Sequence, residues 1–180
     1  MHKPKYYRDL LFKGERPNIR PIDLNKDLGI LWAAYTKESF KNLPEGASQK
    51  EFADFFLTLA SEYTKGWIVE DNNKSFKDGY GATGIFFAVD NGYELEPHFE
   101  KFSWASRRNT LRSIVSFLQM MRYDKDVGVV NVYANDYNNM NYFKKLHKYG
   151  VLNYVGTVPH GDIKGDRHIF YVRGKKRWAA

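Results

Sequence analysis

The fold follows from one stretch, PHFEKFSWASRRNTLRSIVSFLQMM, which spans residues 97–121. It opens with a strand pattern from Pro97 to Trp104 and passes through a basic turn. The apolar residues that follow recur at helical spacing and are Leu111, Ile114, Val115, Leu118 and Met121. The stretch therefore predicts a strand that leads directly into the N-terminus of a helix over residues 110–122.

The turn at residues 105–110 carries two neighbouring arginines, Arg107 and Arg108. A helix N-terminus offers unpaired backbone N–H groups and the positive end of the helix dipole. Guanidinium groups add forked donors that match phosphate geometry. This combination predicts a phosphate-bearing ligand at the turn. The same arginines are also compatible with ordinary solvated charges on a surface loop.

The chain before this stretch predicts two helices and a meander of strands. Asp27 is the predicted N-cap of the first helix, and Ser48 with Glu51 forms a capping-box pattern before the second. The second helix carries an aromatic stripe that is typical of a core. Three strands joined by short turns are predicted over 66–70, 83–89 and 93–104, which indicates an antiparallel meander.

The chain after this stretch predicts a strand, a helix and two further strands. The strand over residues 127–134 should be a parallel neighbour of the strand over 97–104, because a helix connects them. The helix over 139–148 presents Tyr142, Phe143 and Leu146, and strands follow over 153–158 and 168–173. The sequence contains no internal repeat.

Composition excludes several classes of protein. The chain has 180 residues and no cysteine, so disulfides, thiolate nucleophiles and cysteine metal clusters are excluded. The five histidines show no metal-binding spacing, which predicts no metal site. No apolar run is long enough for a membrane span, and no secretory segment opens the chain. We therefore expect a cytoplasmic protein that does not contact a membrane.

The net charge of +7 lies mostly at the two ends of the chain. Residues 1–20 hold six Lys or Arg against two acids, and residues 173–180 hold four against none. We predict a basic N-terminal arm over residues 1–17, one domain over 18–173, and a basic C-terminal tail over 174–180. Such ends can bind nucleic acid or an acidic protein surface, and they can equally be solvated tails.

The order of elements resembles the GNAT superfamily of N-acetyltransferases over about residues 18–173. Its local support is the segment from Asn138 to Val151, which is similar to that family's Asn, helix and Gly signature, with Gly156 in the next strand. The resemblance implies an α+β fold with a mixed, mostly antiparallel sheet of about six to seven strands, a splayed parallel pair and about four helices. Within the superfamily, the chain looks most like small bacteriophage-encoded proteins, including internal virion proteins.

The resemblance also implies acetyl-CoA as co-substrate, lying between the splayed strands with its pyrophosphate on the turn before the central helix. Phe102 and Trp104 would lie on the strand that guides the pantetheine arm. Backbone amides suffice for the phosphates, because the oxyanions need donors more than particular side chains. The predicted cofactor-binding residues are Phe102, Trp104, Ala105, Ser106, Arg107, Arg108, Asn109, Thr110 and Asn139.

The sequence departs from the family at its phosphate-binding motif. The family usually has Arg/Gln-x-x-Gly-x-Gly/Ala, whereas Thr110 and Arg112 stand at the two glycine positions. Side chains there could obstruct close approach of the backbone to a phosphate. Either Arg107 and Arg108 take over part of the phosphate binding, or the cofactor site has been lost.

Two catalytic residues are predicted. Transfer to an amine needs a base, and Glu100 is the candidate, with His98 on the same face of the strand. Glu100 is also compatible with an exposed carboxylate paired with a basic neighbour. Family members often place a proton-donating Tyr where this chain has Leu146, so Tyr142 is the predicted donor and Tyr149 a second substitute. Either tyrosine could serve packing instead.

Two functions remain open from the sequence. The first is an acetyl-CoA-dependent N-acetyltransferase, encoded by a bacteriophage, that acts on an amine-bearing acceptor. The second is a GNAT-fold virion or interaction protein without catalytic activity, whose basic ends contact virion proteins or nucleic acid. The location would be the host cytoplasm or the virion.

Overall fold

The computed structural model describes residues 16–36, 46–62, 65–70, 81–102, 104–134, 137–162 and 165–177. Most of the predicted N-terminal arm and the last three residues of the predicted tail lie outside these ranges. Within them, the helices and strands are β1 (Asn18–Pro21), α1 (Leu24–Tyr35), α2 (Gln49–Glu62), β2 (Lys65–Glu70), β3 (Ala82–Asp90), β4 (Glu94–Lys101), α3 (Arg107–Tyr123), β5 (Val129–Ala134), α4 (Tyr137–Lys148), β6 (Asn153–Asp162) and β7 (Gly165–Arg173).

The strands form one seven-stranded sheet in the order β1-β2-β3-β4-β5-β7-β6. The pairs β1–β2, β2–β3, β5–β7 and β6–β7 are antiparallel, and β4–β5 is parallel. The α+β fold class, the mostly antiparallel sheet and the parallel pair are therefore confirmed. No helix in the described ranges is long and apolar enough to cross a membrane.

The chain divides into two compact units. The N-terminal unit comprises the described parts of residues 9–89 and 98–116, and the C-terminal unit those of residues 90–97 and 117–180. In the described part of the chain, the passages from one unit to the other lie at the end of β3, within β4 and within α3.

The core of the N-terminal unit is aromatic, as the stripe on α2 predicts. Phe52 and Phe56 are fully buried with ring centroids 4.7 Å apart, whereas Phe55 is half-buried. The capping box is confirmed, because Ser48 N–H donates to Glu51 Oε2 at 2.7 Å and Glu51 N–H donates to Ser48 Oγ at 3.3 Å. The reciprocal bonds begin α2 at the residue after Ser48.

The prediction that Asp27 caps α1 is wrong, because Asp23 occupies that position. The Asp23 carboxylate accepts the Asn25 N–H at 3.1 Å, and α1 begins at Leu24. Asp27 lies one turn further on, where Arg20 donates to both of its carboxylate oxygens at 2.7 and 2.8 Å. The Asp27 carboxylate pairs with the Arg20 guanidinium from β1. A residue inside α1 cannot also be the N-cap of α1.

Arg20 and Asp27 join three elements of the N-terminal unit. The Arg20 Nε also donates to Glu70 on β2 at 2.7 Å, and Asp27 is only 1% exposed. Burial alone would raise the pKa of Asp27, but the hydrogen bonds from Arg20 and from Asp23 N–H lower it below its ordinary value. The Asp27 hydrogen bond, followed by that to Glu70, raises the pKa of Arg20 despite its partial burial.

In the C-terminal unit, α3, β5, α4 and β7 contribute most of the buried hydrophobic side chains described. Tyr142, Phe143 and Leu146 of α4 are buried, as predicted, and the Phe143 ring lies edge-on to Phe170 at 5.7 Å. The helix ends at Lys148, and the turn after it contains Gly150, whose φ of 73° suits glycine. Arg122 donates to the carbonyl oxygens of Gly150 and Val151 at 3.0 and 2.9 Å.

The C-terminal segment of residues 174–176 is hydrogen-bonded to the loop before β5. The N–H groups of Gly174, Lys175 and Lys176 donate to the carbonyl oxygens of Gly128, Asp124 and Val127 at 2.8 to 3.1 Å. A Cβ at position 174 would lie 2.0 Å from the Val127 oxygen. Only glycine allows the segment to approach the loop this closely.

Candidate functional site

The turn between β4 and α3 begins earlier than the sequence predicts. Strand β4 ends at Lys101, after which Phe102 N–H donates to Thr83 O at 3.2 Å and Ala105 N–H donates to Phe102 O at 3.0 Å. The Trp104 indole N–H donates to Ala82 O at 2.9 Å. Phe102 and Trp104 therefore lie in the turn that follows β4 and not on the strand, because the Ala105 to Phe102 bond closes a turn.

Phe102 and Trp104 face the core of the N-terminal unit. The Phe102 side chain is 2% exposed, and its ring lies 5.0 Å from that of Trp104. A side chain buried this far cannot contact a ligand in its present position. A role for Phe102 in guiding a pantetheine arm would have to come from its backbone.

Helix α3 begins at Arg107, three residues before the predicted start. Ser106 acts as its cap, because its Oγ accepts the Asn109 N–H at 3.1 Å and its carbonyl oxygen accepts the Thr110 N–H at 3.0 Å. Within the described part of the chain, the N–H groups of Ser106, Arg107 and Arg108 have no acceptor. The turn thus offers three backbone donors at a helix N-terminus.

The first turn of α3 is positively charged, which is unfavourable at the N-terminus of an isolated helix. Arg107 and Arg108 are exposed, and the first turn holds no acidic residue. Burial, followed by the charge of Arg108, lowers the pKa of the Arg112 guanidinium one turn further along. Cations near the positive end of a helix dipole are unfavourable. A bound anion would reverse this cost, so the arrangement suits a phosphate.

Thr110 stands at one of the family's glycine positions, and its side chain is held by its own helix. The Thr110 Oγ1 donates to the Ser106 carbonyl oxygen at 3.1 Å. This bond directs the hydroxyl to the backbone of the first turn. The residues of the turn therefore fit a pyrophosphate through the Ser106 to Arg108 amides and the two arginines.

The parallel ladder between β4 and β5 lies at the start of both strands. It pairs Glu94 with Val129 and Leu95 with Val130, and Tyr93 O accepts the N–H groups of Gly128 and Val129. By strand alternation, the backbone nitrogen of Pro97 faces the same side as that of Leu95. Proline has no N–H, so the next donor toward β5 is missing. Pro97 thus explains why the ladder is short.

One face of β4 carries Glu94, Glu96, His98 and Glu100, which alternate along the strand. Glu100, the predicted base, is half-buried, and His98 is exposed. The Glu100 carbonyl oxygen lies against Gly84 of β3, where a Cβ would approach it to 2.7 Å. Close packing of the backbone at this point holds the Glu100 position firmly.

The predicted residues on α4 lie in the C-terminal unit. Tyr142 is 8% exposed, with its ring 5.7 Å from Phe143, and Leu146 is 0% exposed. Asn139 is exposed near the start of the helix. The position where family members often have Tyr is therefore a core position in this chain.

Among the described residues, no three His, Asp or Glu side chains are grouped so that they could hold a metal ion. What the turn and α3 offer is a set of donors and cations, and β4 offers carboxylates. Anion binding and proton abstraction are the chemistry that these groups support.

The sheet order, the short β4–β5 ladder and the strand-turn-helix cradle match one known architecture. The fold is that of the GNAT acetyltransferases. A chimera of spermidine N-acetyltransferase SpeG from Vibrio cholerae and hSSAT superimposes with a TM-score of 0.60 at 13% identity, covering 88% of this chain and 96% of that chain. A probable acetyltransferase of the GNAT family from Chromobacterium violaceum gives a TM-score of 0.57 at 18% identity, covering 89% and 84%.

A third similar structure is a GNAT-family acetyltransferase from Bacillus anthracis, with a TM-score of 0.57 at 16% identity and coverage of 89% and 96%. No family model and no curated protein matches the sequence. Identities this low show a GNAT fold, whereas activity depends on the residues of the site.

Sequence reasoning placed the start of α3 too late because the apolar periodicity begins at Leu111. The signal for the true start was Ser106, a favoured N-cap residue directly before two residues that are compatible with a helix. It also overlooked Tyr93, which lines a basic recess with the C-terminal segment. The basic run at residues 173–177 was visible in the sequence, but no local pattern places Tyr93 beside it, because Tyr93 is about 80 residues away in the chain.

Proposed function

We propose that this chain is an acetyl-CoA-dependent N-acetyltransferase that transfers the acetyl group directly to an amine. The observation that carries the proposal is the first turn of α3. It combines three backbone donors, two exposed arginines and no acid in a GNAT fold. Two cations at the positive end of a helix dipole lower the stability of the folded chain unless an anion binds there.

The pyrophosphate of acetyl-CoA would be held by the backbone N–H groups of Ser106, Arg107 and Arg108 and by the two guanidinium groups. When bound, acetyl-CoA supplies an activated thioester carbonyl for attack by the amine nitrogen. Glu100 would accept the proton that the amine loses. The carboxylates on the same face of β4 would favour an amine that arrives as a cation.

The proposed acid that protonates the departing thiolate is Tyr142. Tyr142 has the required hydroxyl, but it is 8% exposed and packs against Phe143. Asn139 would act in cofactor binding from the same helix. Spermidine is the first acceptor to test, because the first similar structure is a spermidine N-acetyltransferase. Bacteriophage origin and a place in a virion stay predictions from the sequence.

The cofactor site is tested by titrating the protein with acetyl-CoA in a calorimeter. The double variant Arg107→Ala/Arg108→Ala should bind about 30-fold to 1000-fold more weakly, since each charged hydrogen-bonding group contributes about 1 to 2 kcal/mol. Lys144→Ala/Lys148→Ala removes the same charge from an exposed face of α4 and should leave binding unchanged.

The ligand-free stability of the arginine variant separates binding from a structural role. Because both arginines lie at the positive end of the α3 dipole, the double variant should be as stable as the wild type or more stable. Loss of binding together with loss of stability would contradict the cradle. Wild-type protein that fails to bind acetyl-CoA would exclude the enzyme altogether.

Catalysis is tested by following thiol release with spermidine and a panel of other primary amines. Glu100→Gln should lower kcat/KM by about 100-fold or more if Glu100 is the base. Its binding of acetyl-CoA should stay unchanged. Tyr142→Phe should lower kcat only if the hydroxyl donates a proton, whereas an unchanged rate would assign Tyr142 to packing.

A GNAT-fold interaction protein without catalysis is the second candidate. It is favoured by the buried Leu146 at the family's Tyr position and by Arg112 at a glycine position. Binding of acetyl-CoA without transfer to any amine in the panel would support this function over the enzyme.

A further inference from the structure

We propose that the C-terminal segment forms a second binding site, for the phosphate backbone of a nucleic acid, that is independent of acetyl transfer. The site is a recess of about 780 Å³ in the C-terminal unit. It is lined by Tyr93, Arg173, Gly174, Lys175, Lys176 and Arg177. Four of these six residues are cations and none is acidic.

The cations of this basic recess form no ion pairs with the described part of the chain. The nearby Asp124 carboxylate accepts the Asp126 N–H at 2.8 Å instead. Four like charges within five residues repel one another, and a polyanion would relieve that repulsion.

The fold holds the basic recess in place. The segment of residues 174–176 makes three backbone hydrogen bonds to the loop before β5, and Lys176 Nζ donates to Gly92 O. Lys175 Nζ lies 5.1 Å from the centroid of the Tyr123 ring. These contacts make the recess part of the folded unit, so less conformational freedom is lost when a ligand binds.

The number of exposed cations favours a phosphate chain over a single phosphate. Arg173, Lys175 and Arg177 are exposed at alternate positions, whereas Lys176 and Gly174 are half-buried. These three exposed cations lie within five consecutive residues, so one phosphate chain can contact more than one of them. Two of the exposed cations are arginines, which bind phosphate through two parallel hydrogen bonds. Tyr93 adds a half-buried aromatic ring of the kind on which bases stack.

The test measures the fluorescence anisotropy of a labelled thymidine oligonucleotide of about 16 nucleotides with the full-length protein. We expect binding whose affinity falls between about 50 mM and 200 mM salt. Arg173→Ala/Lys175→Ala/Arg177→Ala should weaken binding at least about tenfold at the lower salt, and should reduce the salt slope by about 2, as three lost phosphate contacts imply.

A matched variant controls for net charge. Lys50→Ala/Lys144→Ala/Lys148→Ala removes three exposed cations from α2 and α4, and we expect a change of less than about twofold in affinity. Equal weakening by the two variants would overturn the proposal, since it would show a non-specific charge effect. Absence of oligonucleotide binding by the wild type would overturn it as well.

Two further measurements complete the test. Polyglutamate of similar charge should compete poorly, and tighter binding of polyglutamate than of the oligonucleotide would assign the recess to an acidic protein partner instead. Ultraviolet crosslinking of the oligonucleotide to the wild-type chain needs no variant to fold. Crosslinks at Tyr93 or residues 173–177 would support the proposal, and crosslinks confined to other parts of the chain would contradict it.

Discussion

At Gly84, β3 approaches β4 too closely for a side chain. A Cβ there would lie 2.7 Å from the Glu100 carbonyl oxygen and 2.8 Å from the Phe99 ring. The Phe99 ring occupies this space and lies 4.4 Å from Phe86. We predict that Gly84→Ala lowers the free energy of unfolding by about 1 to 3 kcal/mol, as overpacking does. Urea unfolding measures the change.

Gly29 is the matched control for Gly84. It is exposed within α1, and a Cβ there would have no neighbour within 4 Å. Gly29→Ala should raise the free energy of unfolding by about 0.5 to 1 kcal/mol, because alanine favours a helix. If both substitutions changed stability in the same direction, the close approach at Gly84 would not explain its effect.

At the scale of elements, the Arg20–Asp27 pair connects β1 to α1. Asp27→Asn should lower the free energy of unfolding at neutral pH by about 2 to 3 kcal/mol, since it removes charged hydrogen bonds from a buried site. Urea unfolding at a series of pH values measures the difference between variant and wild type.

The pH dependence follows from the lowered pKa of Asp27. A carboxyl whose pKa falls on folding stabilises the native state above its ordinary pKa of about 3.9, and loses that contribution as the pH falls through the folded value. The difference between wild type and Asp27→Asn should therefore be fully present above about pH 4 and shrink progressively as the pH falls below it. A difference that stays constant throughout acid titration of the folded protein would show that charge is not the cause.

At the scale of the whole molecule, the C-terminal segment of residues 174–176 contacts parts of the chain that are far away in sequence. Residues 174–176 bond to residues 124–128, and Lys176 also reaches Gly92. We predict that a chain ending at Arg173 unfolds with a free energy about 2 to 4 kcal/mol below that of a chain ending at Arg177, from three backbone hydrogen bonds and their neighbours. Equal melting temperatures for the two chains would show that the segment adds no stability.

Local patterns were sufficient to predict much of this fold. The capping box at Ser48 and Glu51 and the buried face of α2 depend on residues three or four positions apart, which one helix brings together. The parallel placement of β4 and β5 followed from their connection through a helix. In the candidate site, the arginines and the helix N-terminus were predicted correctly as neighbours because they are contiguous in sequence.

Only the tertiary structure decided where side chains from distant segments meet. The sequence predicted Asp27 as a helix cap, whereas in the structure it pairs with Arg20, which also bonds Glu70. The sequence predicted Phe102 on a strand, whereas in the structure it lies in a turn that is hydrogen-bonded to Thr83 and Ala82. The C-terminal segment read as a free tail, but Gly174 allows it to approach Val127 closely. The sequence by itself determined the elements, because their hydrogen bonds and periodicity are local. The tertiary structure decided that Arg107 is exposed, that Tyr142 is buried and that Tyr93 lies beside the basic C-terminal segment, because burial and contacts depend on residues far apart in the chain.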